Sequence, residues 1–202
     1  MKPPAVFVLT VFTLGSAVGL VAGRVSRAQT REQLPADVHS DSRSRLPLVK
    51  RETLDEFGVR LYDEIAKDSR RVTGFQGPGG LRLHSPKPGA MVRDLNSYLR
   101  FESPLGARTV ELAILVAARE LDSQFEWAAH EGAARRAGVS DEIIELVRYR
   151  RPANAAEERD RAVIELGREA IGARTVSAGT FARAHKVFGS QSLLDLAVLL
   201  GE

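Results

Sequence analysis

Residues 108–121 read RTVELAILVAAREL, and Val110, Leu112, Ala113, Ile114, Leu115, Val116, Ala117 and Ala118 leave that stretch almost no polar side. A helix apolar nearly all round belongs at the centre of a domain, with other elements packed about it. The surrounding sequence supplies further helices. Leu54, Phe57, Leu61 and Ile65 recur every three or four residues, with Val59 and Tyr62 beside them, so residues 52–70 are predicted to form an amphipathic helix. Met91, Leu95, Tyr98 and Leu99 repeat the pattern before Pro104 and Gly106 interrupt it. Residues 124–137 form a helix ended by Gly138, and Ser140-Asp141-Glu142 opens another with N-cap chemistry ahead of Ile143, Ile144 and Val147. Residues 157–171 and 181–188 come next, and Ser190 or Ser192 introduces a last apolar run at 193–200. No stretch alternates with period two for long enough to make a strand. The expectation is one all-α domain over residues 46–202.

The N-terminus belongs to a different class of segment. Lys2 and Arg24 enclose 21 uncharged residues, including the runs at 5–9 and 17–22. A positive start, an apolar middle and small residues at Ser26 and Ala28 suit a secretory signal cleaved before Gln29, which would place the protein outside the cytoplasm, secreted or periplasmic. The alternative is an uncleaved membrane anchor through residues 3–23, since about 20 apolar residues suffice to cross a bilayer. Residues 29–45 (QTREQLPADVHSDSRSR) are polar and aperiodic, which predicts a flexible linker.

Charge and cysteine content exclude several functions. The first 28 residues carry three of the 29 basic residues, and the remaining 26 equal the 26 acidic residues in number. Such a balanced body has no electrostatic footprint for a phosphate backbone, so nucleic acid is not expected as a partner. The chain has no Cys, which removes disulfides, Cys-ligated metals and thiol nucleophiles. Two convincingly spaced His or carboxylate ligands are too few for a zinc site, so no metal is expected.

Candidate chemistry gathers in the middle of the sequence. Glu126 and His130 are four residues apart on one helix, so the carboxylate can reach the imidazole. Such a carboxylate orients the ring, selects its tautomer and raises its pKa, as a general acid or base near neutral pH requires. A solvated surface pair has the same spacing and contributes only a few tenths of a kcal/mol. Glu111 sits between Val110 and Leu112, where a carboxylate is costly unless paired or protonated, which makes it a further site candidate. It also lies in the first helical turn near Arg108, where an acid favours the helix dipole. Arg108 can grip a substrate carboxylate through two bonds. Residues 73–89 (TGFQGPGGLRLHSPKPG) read as a long irregular loop, which either crosses the surface or carries His84 over a site.

The motifs Arg108-Thr109-Val110-Glu111-Leu112-Ala113-Ile114-Leu115, Ala118-Arg119, Glu126-Trp127-Ala128-Ala129-His130 and Ala137-Gly138 with Ile143-Ile144 resemble the carboxymuconolactone decarboxylase family, which shares a fold with alkylhydroperoxidase D. The resemblance runs from about Leu46 onward. It implies an alkylhydroperoxidase D-like all-α fold and assembly into homo-oligomers. Family members usually continue past the run at 193–200 into another helix, whereas this sequence ends at Gly201-Glu202, so the last helix of the fold is expected to be missing. In the peroxidase branch a Glu, a Cys-x-x-Cys pair and a His form a proton relay and a redox dithiol. Placing Glu111 and His130 on that relay puts Ser123 and Glu126 where the cysteines would be, so thiol peroxidase chemistry is not expected. The decarboxylase branch implies acid-base chemistry on a small carboxylated lactone without metal or organic cofactor. Glu126 and His130 would be the acid/base pair and Glu111 a supporting relay. The competing expectation is an oligomeric binding or structural protein that keeps the scaffold without turnover.

Overall fold

In a computed structural model the described residues are 34–68 and 74–202. The predicted signal or anchor at 1–28 and the first residues of the predicted linker lie outside them. Eight helices make up the described part: α1 (Glu56–Lys67), α2 (Pro78–Leu81), α3 (Pro86–Ser97), α4 (Ala107–Glu120), α5 (Gln124–Arg136), α6 (Asp141–Arg148), α7 (Glu158–Gly167) and α8 (Ala178–Gly201). None of them is long and apolar enough to cross a membrane.

The apolar stretch is α4, and it lies at the centre as its composition requires. Leu112, Ala113, Leu115 and Val116 have no exposed surface, and α4 packs against α5, α6, α7 and α8. Ile144 and Val147 of α6, Val163 and Ile164 of α7 and Leu196 of α8 complete that core. Backbones come close where side chains are small. A Cβ on Gly167 would lie 2.5 Å from Val116 Cγ1, so α7 meets α4 at a distance only glycine permits.

Four of the eight helices are capped by a side chain at the N-terminus. Ser123, Ser140 and Ser177 cap α5, α6 and α8 by accepting from the backbone N–H three residues on, the bond that otherwise goes unmade at a helix start. The first helix starts later than its periodicity suggests, because Arg51–Thr53 form a separate 3-10 turn and the Asp55 carboxylate caps α1 by accepting from Gly58 N–H at 2.7 Å. Two helices relax into π turns, α3 at Tyr98–Glu102 and α7 at Arg168–Ala173. Gly189, at φ 69°, breaks α8 between the two predicted helical runs.

Two sequence expectations change. The segment read as a long irregular loop contains α2, a 3-10 turn over Arg82–His84 and the start of α3. Its prolines stand at helix N-termini, where the missing N–H costs nothing, and its glycines permit close packing rather than disorder. Leu83, from this segment, is fully buried in a second small core with Leu61 and Ile65. Within the predicted linker, residues 39–46 form a hydrogen-bonded turn: buried Ser42 donates to the Leu46 carbonyl at 2.6 Å, and His39 bridges to Ser44.

Candidate functional site

Glu111 lies one turn into α4 and His130 two turns into α5, on faces where these helices pack together. His130 Nδ1 and Glu111 Oε2 are 2.8 Å apart, and both side chains are about nine-tenths buried. On the other Glu111 oxygen, Arg100 Nη2 donates at 3.2 Å. Burial pushes the Glu111 pKa up, but His130 and Arg100 together outweigh it and hold the carboxyl below its usual range. An anionic Glu111 accepts only, so His130 Nδ1–H donates to it, and when the ring is neutral the lone pair is on Nε2.

Nε2 is directed toward Glu126, whose Oε2 is 3.7 Å away, beyond direct hydrogen-bond reach. Glu126 is about one-third exposed. His130, Glu126 and Arg100 line a cavity of about 380 Å³, walled by Ile114, Phe125 and Leu199 among others. Its size is in the range of small-molecule sites. Phe125 is seated against Gly77, where a Cβ would come within 2.6 Å of the ring.

The three catalytic candidates from the sequence are therefore together, but with different pairing. The close contact is between Glu111 and His130, nineteen residues apart, while the helical neighbour Glu126 stands off. The other two candidates are elsewhere. Arg108 holds buried Asp160 of α7 in a two-point ion pair, with Nη2 to Oδ2 at 2.7 Å and Nη1 against Oδ1, and its Nε donates to the Gly138 carbonyl at 3.0 Å. It is not among the residues that line the cavity, because its donors fasten α4 to α7 and to the end of α5. His84 is exposed, with Nε2 at 2.9 Å from the Pro47 carbonyl, and it too is absent from the cavity wall. The cation that pairs with Glu111 is Arg100, which nothing in the sequence distinguishes from the other arginines. It reaches Glu111 from the π turn after α3. Among the described residues, its Nε is buried and has no hydrogen-bond partner.

Ser123 also lines the cavity, capping α5 from one of the two positions that would hold cysteines in a redox relay. Among the described residues no three His, Asp or Glu side chains converge on a metal position. The model of the carboxymuconolactone decarboxylase family matches residues 86–169. This stretch of the chain is similar to that family. It runs from the first residue of α3 to the π turn after α7 and so contains Arg100, Glu111, Glu126 and His130. No curated protein and no solved structure matches the chain. The matched stretch holds Glu111 and His130 in contact, and the chain has no Cys.

Proposed function

We propose that the protein is a carboxymuconolactone decarboxylase-like lyase that acts on a small carboxylated substrate by acid-base chemistry, without metal or organic cofactor. The observation that carries this reading is the 2.8 Å contact between Glu111 and His130 Nδ1 at the wall of a cavity of about 380 Å³. Glu111 fixes the ring so that Nε2 faces Glu126, and His130 is the proton-transfer group. As carbon dioxide leaves such a substrate, the electron pair of the broken C–C bond remains on the substrate. Nε2 first takes up a proton from solvent by way of Glu126, the most exposed of the three groups, then delivers it to that carbon, which returns the ring to its neutral form with Nδ1 still donating to Glu111. Arg100 stabilises Glu111 as an anion throughout.

The test is turnover of a panel of carboxylated γ-lactones by the purified chain, followed as release of carbon dioxide. His130→Gln keeps a polar side chain but cannot titrate near neutral pH, so it should lower the rate by about 10²- to 10⁴-fold with helical content unchanged. Glu126→Gln should have a smaller effect. Retained turnover in His130→Gln would refute the assignment. Panel members that bind without any being converted would favour the non-catalytic scaffold.

A further inference from the structure

The cavity is lined by further charged and polar groups besides His130, Glu126 and Arg100. Arg82, in the 3-10 turn after α2, and Asn96, near the end of α3, both line it. Between them lies the carboxylate of Glu202, the residue after α8. Arg82 Nη2 donates to Oε1 at 3.1 Å and Asn96 Nδ2 donates to Oε2 at 3.3 Å, one donor to each oxygen. This two-point arrangement recognises a planar carboxylate rather than a diffuse negative charge. The Glu202 side chain is about nine-tenths buried there.

The clamp is built into the fold. Gly89 and Asn96 lie on α3 seven residues apart, two helical turns, and so on one face. A Cβ on Gly89 would lie 2.4 Å from the Arg82 carbonyl oxygen, so the missing side chain lets α3 press against the turn that carries Arg82. The acidic partner, Glu202, follows α8, with exposed Gly201 before it.

We propose that Arg82 and Asn96 form the carboxylate anchor of this cavity, and that Glu202 fills it as an internal competitor which an incoming substrate carboxylate displaces. The ligand class is a small dicarboxylate or carboxylated lactone, one carboxylate at Arg82 and Asn96 and the remainder extending toward His130. The assignment supplies the carboxylate grip that Arg108, committed to Asp160, does not provide. It rests on the acid-base reading only for the choice of substrate class.

The anchor is tested by binding rather than turnover. Calorimetric titration of the full chain with straight-chain dicarboxylates of two to six carbons, each beside its neutral dimethyl ester, gives an apparent Kd for wild type, Glu202→Gln, Glu202→Ala and Arg82→Met. If Glu202 fills the anchor about nine-tenths of the time, removing its charge tightens apparent binding about tenfold, because apparent affinity scales with the competent fraction. The diacids should gain in both Glu202 variants, the diesters should not, and Arg82→Met should abolish diacid binding. A contact that merely fastens α8 predicts instead a lower Tm in the Glu202 variants with Kd unchanged. That result, or the absence of tighter diacid binding in both variants, overturns the anchor. His130→Gln separates the two readings: lost turnover with diacid binding intact leaves both standing, unchanged turnover removes only the acid-base role, and failure of the Glu202 and Arg82 variants removes only the anchor.

Discussion

Replacing Glu111 by Gln removes one charge and little volume from the contact between α4 and α5. The carboxylate serves two partners, His130 at 2.8 Å and Arg100 at 3.2 Å, with Arg100 Nε already lacking a partner. Breaking a buried ion pair from one side costs about 3–5 kcal/mol, and a hydrogen bond to a charged group contributes about 1.5–3 kcal/mol. The replacement amide still hydrogen bonds, and Arg100 keeps about 15% of its side chain exposed at the cavity. The loss therefore falls toward the lower end, about 2 kcal/mol, or roughly 4–8 °C in Tm for a domain of this size. Urea unfolding monitored by helical circular dichroism measures it. The dependence on pH gives a sharper check. Because the folded-state pKa of Glu111 is depressed, its contribution is fully present above the unfolded value, about 4.3, and is lost as pH falls through the folded value. The stability gap between wild type and Glu111→Gln should thus narrow as pH drops from about 5 to about 3, while the other carboxylates titrate in both proteins and cancel. A difference below about 0.5 kcal/mol at neutral pH, the scatter of ordinary surface substitutions, or a gap that stays constant through the acid range, would refute the account of Glu111 as a stabilised buried anion.

Two further outcomes bear on packing. Arg108→Met leaves Asp160 buried without its cation and should cost about 3 kcal/mol by urea unfolding, the low end for a broken buried pair because Arg108 is one-third exposed, while diacid binding to whatever remains folded is unchanged. Gly167→Ala places a methyl 2.5 Å from Val116 Cγ1 and should destabilise by about 1–3 kcal/mol, with Val116→Ala in the same chain recovering part of the loss in a double-mutant cycle.

The helices are legible in the sequence where periodicity and capping agree, as in α4, α5 and α6, and Ser140 is recognisable as a cap because the apolar run starts three residues later. Glycine and proline mislead over residues 73–89. Pro78 and Pro86 resemble breakers although each stands in a first turn, and the distinction depends on whether the residues C-terminal to the proline can go on as a helix, not on the proline itself. At the site, Glu111 is legible because an acid in an apolar helix demands a partner, and His130 is an available one. Arg108 misleads for a corresponding reason. A guanidinium announces that it will hold a carboxylate but not which one, and Asp160, fifty-two residues away, becomes its partner through the packing of α7 on α4. Arg100 has no signal at all. Its reach to Glu111 depends on the π turn at Tyr98–Glu102, whose geometry shifts the side chain off the ordinary helical repeat.

The site divides into parts of unequal rigidity. Glu111 and His130 sit on helices whose neighbours Leu112, Ala113, Leu115 and Ala134 have no exposed surface, so their relative position is set by the core. Any movement that separated them would open that core and leave a buried anion beside an unpartnered guanidinium. Glu126 is partly solvated and stands 3.7 Å from the ring it faces, and Glu202 lies just past the end of a helix. The Glu126 carboxylate can move by a rotamer change without disturbing buried packing, whereas that of Glu202 must leave Arg82 and Asn96 to do so. A proton-transfer site needs this division, since the group that sets the tautomer must hold still while the group that exchanges protons with solvent must not. The ring is thus held on its Nδ1 side and adjustable on its Nε2 side, the side that faces Glu126.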